Sequence, residues 1–568
     1  MKVTEIPYQR LTVESFSQRA EQIIQAVKGA DSADAVLAAR EQYIALNRDF
    51  LTAAVLAETR YTLNTADAFY LKEKEYYDET TPQVKSLQLK YTAAMLESPF
   101  RAELERALSP LLFTFYEYQV KAMSPGIVAD MVEENRLITE YSQLMAGMSF
   151  NFRGEGMPLS RLRRYMSEDD RATRREAYET LGRTLQAHSQ ALDSLFDSLV
   201  KVRDGMAQKM GYKNFVELGY YRMMRISYDA DMVARFRDNV RTYIVPAVAR
   251  LKAESASRMG LGRVMLYDND VNLPGGNPKP VLDKEGIFRA ARDMYHAMGK
   301  DTARFIDMML EAEAFDVDSR MNKWGGGYCT IYPNYRQPFI LANFNGSAGD
   351  IDTMTHEAGH AFAAYMTADS RLAGDMTSGR EPEAYGMETG EVHSMSMEFF
   401  AWPHMERFFG GNTGRYQYAH LFDSLTFIPY GSIVDAFQHA VYERPEMTPA
   451  ERNAEWRRLE SQYRPYLSAE GIPYLEEGTR WQYQMHIYES PFYYIDYCLA
   501  QVVALEFLFA SREDYADAFA RYVQFVSHGA EKKFPDLIRE AGLVPPFEES
   551  AVKDVAERAE ALIGELRP

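Results

Sequence analysis

The first third of the chain repeats apolar positions at the spacing of α-helices. Near the N-terminus, Phe16, Ala20, Ile23, Ile24 and Val27 recur at intervals that place them on one helical face. The same spacing returns further on, at Leu192, Leu195, Phe196, Leu199 and Val202. The sequence between these two patterns is rich in Ala, Leu, Glu, Arg and Gln, which favour helices. We therefore predict a succession of helices whose apolar faces pack into a core.

The apolar pattern changes after Trp324. Before it, the stretch LPGGNPKP at 273–280 predicts a surface loop, because helical patterns resume on both sides. After it, GGGYCTIYPNYRQPFILANFNG at 325–346 clusters glycines, β-branched residues and aromatics. This composition predicts a glycine turn followed by one or two short strands. The predicted fold class is therefore mostly α, with a small β-sheet.

Composition narrows the class of protein and its partners. The chain has 568 residues, and 63 Lys and Arg against 82 Asp and Glu give a net charge of −19. This acidic balance argues against nucleic acid as the main partner and gives no support for binding anionic membranes. The two cysteines are too few for a disulfide framework or an all-thiolate zinc site. The N-terminal sequence MKVTEIPYQR does not resemble a signal peptide, so we expect a cytoplasmic protein.

The sequence HEAGH at 356–360 carries the main chemical signal. On a helix, His356 and His360 lie about 40° apart around the axis, and Glu357 flanks them at about 100° from His356. Two neutral imidazoles at this spacing can bind one zinc ion, and the carboxylate can reach a water molecule on that ion. The flanking residues are mostly apolar, so burying these groups without a partner would be costly. We predict a zinc site with Glu357 as general base.

A catalytic zinc site needs a third protein ligand from elsewhere in the chain. The best candidate segment is METGEVHSMSMEFFAW, where Glu391, Ser394 and Glu398 lie at i, i+3 and i+7 on one helical stripe. Glu388 shares roughly the same face and is an alternative ligand. His393 lies about 200° from Glu391 around the axis and is a poor co-ligand. The residues alone leave Glu391 and Glu388 open.

HEAGH followed by EVHSMSME resembles the thimet oligopeptidase and oligoendopeptidase F family of zinc metallopeptidases. The sequence of this segment is closer to that of the oligoendopeptidase F branch. The resemblance implies that His356, His360 and Glu391 bind one Zn²⁺ per chain and that Glu357 is the base. Glu398 would orient a ligand histidine, with a purely structural role as the alternative.

A second match to the family is HIYESPFYYIDY near the C-terminus. The resemblance implies that His486, Tyr494 and Tyr497 bind and polarise the scissile carbonyl group. Tyr493 is a substitute among these tyrosines and a candidate substrate-binding residue.

The segment before the HEAGH helix is similar to the family's substrate-side strand and glycine loop. We predict that Phe339, Leu341 and Asn343 lie on an edge strand that pairs with an extended peptide. The alternative is a strand that only supports the metal-binding helix. Gly326 and Gly327 form either a mobile loop over the substrate or a tight turn.

The resemblance thus implies a zinc endopeptidase that hydrolyses internal bonds of short, unstructured oligopeptides. The resemblance implies two helical lobes around a deep channel. Along the chain we predict an N-terminal helical region at 1–165 and a catalytic zinc metallopeptidase region at 166–568, and we expect the two lobes to be interwoven rather than to coincide with these regions. We expect peptide partners, no nucleic acid and no membrane. Two alternatives remain open: a zinc carboxypeptidase of the same helical type, and a non-catalytic peptide-binding scaffold.

Overall fold

Helices make up most of the protein. The structure is a computed structural model that describes residues 2–320, 322–368, 386–529 and 531–568. The helices of the first half are α1 (Val13–Lys28), α2 (Ala33–Leu63), α3 (Ala68–Leu96), α4 (Arg101–Ala107), α5 (Pro110–Ala122), α6 (Val128–Gly147), α7 (Leu159–Met166), α8 (Arg171–Ala187), α9 (Ser189–Lys209), α10 (Phe215–Arg222), α11 (Ala230–Asn239) and α12 (Val245–Arg258). Those of the second half are α13 (Lys284–Met298), α14 (Lys300–Glu311), α15 (Gly349–Thr367), α16 (Met387–Phe400), α17 (Glu406–Phe409), α18 (Thr413–Glu443), α19 (Pro449–Tyr463), α20 (Met485–Glu489), α21 (Tyr494–Glu513), α22 (Tyr515–His528), α23 (Phe534–Glu540) and α24 (Glu549–Glu565).

Two hydrophobic cores hold these helices together. Helices α1 to α5 enclose the first core, whose buried residues run from Phe16 to Tyr116. The second core takes its buried residues mainly from the β-strands and from the helices after α5. Val55 and Leu56 of α2 belong to the second core, so this long helix packs against both. The division at residues 165 and 166 stays a prediction.

A small three-stranded sheet lies beside the HEAGH helix. Its strands are β3 (Phe315–Asp318), β4 (Tyr328–Tyr332) and β5 (Gln337–Phe344), and a separate hairpin joins β1 (Phe150–Phe152) to β2 (Glu155–Met157). Strand β5 is central, parallel to β3 and antiparallel to β4. Helix α15 packs on β4 and β5. The predicted fold class, mostly α with a small sheet beside this helix, is confirmed.

The prediction that β5 is an edge strand is wrong. Strand β5 pairs with β4 through Gln337 to Leu341 and with β3 through Ile340 to Phe344, so it lies inside the sheet and not at its edge. The side chains of Phe339 and Leu341 are buried in the second core. The Asn343 amide donates to the carbonyl oxygens of Trp324, at 2.9 Å, and Gly326, at 2.8 Å, and so supports the glycine turn. Among the described strands, β4 pairs only with β5 and is therefore an edge of this sheet.

Helix α21 is the one described helix that is long and apolar enough to cross a membrane, with a mean hydropathy of 1.3. Of that apolar stretch, 78% is buried inside the protein. The helix packs against α16 and α18. Burial in the core therefore accounts for its apolar composition. Tyr493, directly before this helix, donates a hydrogen bond to Glu391 of α16.

Helices α15 and α16 can approach closely because residue 359 is glycine. A Cβ atom built on Gly359 would lie 2.6 Å from the Cα atom of Ser394 and 2.7 Å from the carbonyl oxygen of His393. Both atoms belong to the backbone of α16, so no side chain can move aside to relieve the overlap. The HEAGH motif thus contributes two things: polar side chains, and a glycine at which α15 contacts the backbone of α16.

Replacing Gly359 with alanine should lower the thermal-unfolding midpoint. The methyl group would push two buried helices apart, and overpacking of this kind costs about 1–3 kcal/mol. A matched control is Gly205→Ala in α9, where a Cβ atom meets nothing within 4 Å. That variant should keep or raise the midpoint, because alanine favours helices over glycine. Scanning calorimetry of the two variants would contradict the packing argument if both had the wild-type midpoint.

Candidate metal centre and active site

Helices α15 and α16 bring His356, His360 and Glu391 together. One donor atom from each residue lies within 4.8 Å of the other two. The Oε2 atom of Glu391 is 3.4 Å from Nε2 of His356 and 3.7 Å from Nε2 of His360. In a tetrahedral zinc site with bonds near 2.05 Å, ligand atoms lie about 3.3 Å apart. The donor set and its spacing therefore fit a zinc ion.

Glu398 fixes the proton of His356 on the nitrogen that faces away from this cluster. The Nδ1 atom of His356 lies 2.7 Å from Oε1 of Glu398. Although burial raises the pKa of Glu398, hydrogen bonds from His356 and His420 lower it to about 2. A carboxylate can only accept, so Nδ1 carries a proton and Nε2 is the nitrogen left to bind a metal.

A further pair of residues, His420 and Trp402, supports Glu398 from α18 and the segment after α16. Nε2 of His420 lies 2.7 Å from Oε2 of Glu398, and the Trp402 indole N–H donates to Nδ1 of His420 at 2.9 Å. Nearby carboxylates raise the pKa of His420 despite its burial. The indole group can only donate, however, so we assign Nδ1 as an acceptor and the proton to Nε2.

Burial keeps the second histidine of the motif neutral. His360 is 3% exposed, and burial lowers its pKa to about 4. Burial also lowers the pKa of His356, but hydrogen bonds to Glu391 and Glu398 outweigh it and hold that pKa well above its usual value. A metal ion competes with the proton at this position, because a histidine ligand must offer a lone pair.

Glu391 is held from its other side by Tyr493. The Tyr493 hydroxyl group donates to Oε1 of Glu391 at 2.6 Å, and Ser394 Oγ lies 3.2 Å from Oε2. Hydrogen bonds from His356 and Tyr493 and the two nearby imidazoles lower the pKa of Glu391, although burial opposes them. The structure thus places Tyr493 on a candidate metal ligand, with its hydroxyl group engaged there.

The Glu357 carboxyl group lies beside the glycine turn that precedes β4. A Cβ atom built on Gly327 would lie 3.8 Å from Oε1 of Glu357. Burial raises the pKa of Glu357 to about 7, while His356 and a hydrogen bond from the Cys329 backbone lower it. A carboxyl group with a pKa near neutrality can accept and return a proton. The neighbouring Gly326 leaves room for the Trp324 indole ring, 2.1 Å from a Cβ atom built at that position.

The first turn of α21 and the short helix α20 place an imidazole and two phenols together. The His486 ring lies 4.8 Å from the ring of Tyr494 and 6.2 Å from that of Tyr497. Tyr493 is near the same imidazole, with 5.9 Å between ring centroids. Burial lowers the pKa of His486 to about 4 and holds the pKa of Tyr494 well above its usual value. The imidazole is therefore neutral and the phenol protonated at neutral pH.

The structure separates the alternative ligands from the cluster. Glu388 lies 3.3 Å from the hydroxyl group of Tyr228. His393 is buried, with its ring 5.7 Å from that of Phe525. Neither belongs to the described group that could hold a metal. Of the two glutamates left open by helical spacing, Glu391 is the one next to both imidazoles.

Replacing Glu398 with glutamine should weaken metal binding by about tenfold to a hundredfold, as loss of an outer partner of a ligand histidine does. The amide cannot accept from His356 and His420 at once, so one histidine loses its preferred tautomer. Competition with a chelator of known affinity measures the change. Glu406→Gln, at an exposed position in α17, should leave the affinity unchanged. Equal affinities for the two variants would contradict this role for Glu398.

Comparisons with known proteins show the family and the overall fold. The family models named peptidase M3 N-terminal domain and peptidase family M3 match residues 3–123 and 291–557. A solved structure of PZ peptidase A with an inhibitor has 40% identity, a TM-score of 0.94 and 99% coverage of both chains. A protein described as an oligoendopeptidase F has 42% identity, the same TM-score and the same coverage. Another, from Bacillus anthracis str. Ames, has 37% identity and a TM-score of 0.89, with 100% of this chain and 98% of that chain covered. The search of curated protein sequences gives no match.

Proposed function

The chain belongs to peptidase family M3 and is a metallopeptidase, and from this premise we propose that it is a zinc-dependent endopeptidase of short, unstructured peptides. The observation that carries the proposal is the cluster of His356, His360 and Glu391 next to the half-buried carboxyl group of Glu357. Two imidazoles and one carboxylate leave a fourth position open, as catalytic zinc sites do.

Zinc bound by these three residues would supply Lewis-acid chemistry, lowering the pKa of a water molecule and polarising a carbonyl group. Glu357 accepts the proton of the attacking water and returns it to the leaving amine. A pKa near 7 suits both steps, because neither protonation state is strongly favoured at neutral pH. Glu398 and Tyr493 keep the ligand atoms in place throughout.

The oxygen of the scissile carbonyl group gains negative charge when water attacks. We assign its stabilisation to His486, Tyr494 and Tyr497, whose rings adjoin one another. A neutral imidazole and a protonated phenol can each donate a hydrogen bond to this oxygen. Losing one such donor typically costs about a hundredfold or more in turnover.

The edge strand β4 is the candidate platform for the peptide, in place of β5. It begins directly after Gly327, which adjoins Glu357, and the backbone of Cys329 hydrogen-bonds to the same carboxyl group. A peptide paired with this edge would be held through its backbone, which suits broad sequence specificity. Gly326 and Gly327 then act as a turn that lets the chain pass close to the catalytic carboxyl group.

Burial of the ligands favours flexible substrates. His360 and Glu391 are 3% and 1% exposed, so only an extended segment could bring a peptide bond to them. We therefore propose short, unfolded peptides as substrates and, with the acidic composition, no nucleic acid or membrane partner. A cytoplasmic location fits the same proposal.

An internally quenched peptide with both termini blocked tests this function. The zinc-loaded protein should cut it at an internal bond, which mass spectrometry of the products identifies. Cleavage that required a free C-terminal carboxylate would favour a carboxypeptidase instead. Binding of the peptide without any hydrolysis would favour a scaffold protein. A folded protein carrying the same sequence within a structured region should resist cleavage.

A further inference from the structure

We propose that Gln484 and Tyr430 are positioning residues that hold His486 as the neutral tautomer with its proton on Nε2. In this tautomer, Nε2 is the nitrogen that donates to the substrate carbonyl group. The inference rests on the proposed peptide hydrolysis, because it concerns a group that acts in that reaction. It adds two residues that act through their hydrogen bonds towards His486.

A chain of hydrogen bonds joins the three residues. The Tyr430 hydroxyl group, on α18, donates to Oε1 of Gln484 at 2.5 Å. Nε2 of Gln484 lies 2.8 Å from Nδ1 of His486, two residues further along the chain. An amide N–H can only donate, so Nδ1 must accept and carries no proton. A neutral imidazole then carries its proton on Nε2.

The direction of this chain is set by two guanidinium groups. Arg480 and Arg464 lie over the Tyr430 ring, 4.4 Å and 5.1 Å from its centroid. Both cations withdraw electron density from the phenol and so make its hydroxyl group a better donor and a poorer acceptor. Although burial raises the pKa of Tyr430 to about 12, both arginines act to lower it. The hydroxyl group is therefore protonated and directed at the amide oxygen.

The opposite orientation of the Gln484 amide leaves the network incomplete. In that orientation the amide nitrogen would face Tyr430 and the amide oxygen would face Nδ1 of His486. The Tyr430 proton would then need another acceptor, and the described residues offer this hydroxyl group no other hydrogen bond. An unused donor in a half-buried site is costly. The orientation with Oε1 on Tyr430 gives the Tyr430 proton an acceptor and gives Nδ1 of His486 a donor.

A fixed tautomer matters because an imidazole in water exchanges its proton between the two nitrogens. If Nδ1 held the proton, Nε2 would present a lone pair to a developing negative charge and would repel it. Burial already excludes the doubly protonated form by lowering the pKa of His486 to about 4. The hydrogen bond from Gln484 to Nδ1 then selects between the two neutral tautomers. His486 therefore carries its proton on Nε2 before the substrate binds.

A pair of variants of nearly equal size tests the proposal. Gln484→Glu places an acceptor against Nδ1, so His486 must move its proton there. Gln484→Met removes the amide and imposes neither tautomer. With zinc-loaded protein at pH 8, we expect kcat of Gln484→Glu to fall about a hundredfold, the cost of one lost oxyanion donor, with little change in KM. We expect kcat of Gln484→Met to fall less, and the unfolding midpoints check that both variants fold.

The tautomer itself is measured by ¹⁵N NMR of histidine-labelled, zinc-loaded protein, with His486→Asn used only to assign the signal. The proposal expects an unprotonated Nδ1 in the wild type and a protonated Nδ1 in Gln484→Glu. A protonated Nδ1 in the wild type would overturn it, as would equal kcat values for the two variants. The NMR measurement needs no substrate, so a protein that failed to cleave peptides would refute the proposed function without deciding the tautomer.

Discussion

The Glu357→Gln variant should retain its metal and hydrolyse peptides about 10² to 10⁴ times more slowly than the wild type. Glutamine has nearly the same shape as glutamate, so the packing beside Gly327 is preserved. An amide cannot accept the proton of the attacking water, and it cannot return one to the leaving amine. The measurement is kcat/KM on the blocked, quenched peptide, together with the metal content per chain. If the metal content is unchanged, the loss of activity comes from the missing general base and not from a loss of metal binding.

Glu388→Gln is the matched control. Glu388 is buried on the same helix as Glu391, one turn before it, and burial raises its pKa to about 8, so its carboxyl group is mostly protonated at pH 7. An amide resembles a protonated carboxyl group, and we expect near wild-type activity and full metal content. Wild-type rates in Glu357→Gln would mean that another group is the base. Loss of metal in Glu388→Gln would reopen the choice between Glu388 and Glu391 as third ligand.

The sequence predicted the helical part of the site well, because helix geometry is local. His356 and His360 are four residues apart, and any α-helix places them on neighbouring positions of one face. Glu391 is different: helical spacing could not distinguish it from Glu388. Only the resemblance of the whole EVHSMSME segment implied that Glu391 lies beside the histidines, where the structure places it.

Contacts between distant segments were not predictable in the same way. His420 reaches Glu398 from α18, and Trp402, in the segment after α16, donates to His420. Nothing in one sequence pairs these residues. The error at β5 has a similar cause. Its partner β3 has the short, half-polar sequence FDVD, which gives too weak a pattern to predict a strand. Without β3, the sequence pattern predicts an edge strand for the apolar stretch Phe339 to Phe344.

Removal of the metal should abolish cleavage, and added Zn²⁺ should restore it. The three donors have no substitute among the described residues, since no other described group could hold a metal there. Mg²⁺ should not restore activity, because it prefers six oxygen ligands over two imidazoles and one carboxylate. The metal-free protein should also unfold at a lower temperature, because a ligand that binds only the folded state stabilises it. Activity and calorimetry before and after reconstitution measure both effects.

Two substitutions, one at Glu391 and one at its hydrogen-bond partner Tyr493, should reduce zinc binding to different extents and so serve as controls. Glu391→Gln still accepts a hydrogen bond from Tyr493 but is a poor zinc ligand, so zinc should no longer raise its unfolding midpoint at concentrations that saturate the wild type. Tyr493→Phe removes only the group that orients Glu391, and we expect a smaller loss of affinity, about tenfold to a hundredfold. If Tyr493→Phe lost more affinity than Glu391→Gln, the phenol would be a ligand in its own right. If a protein shown to be free of metal cleaved the peptide at its original rate, the cluster would not be the catalytic centre, because Glu357 has no other described metal site beside it.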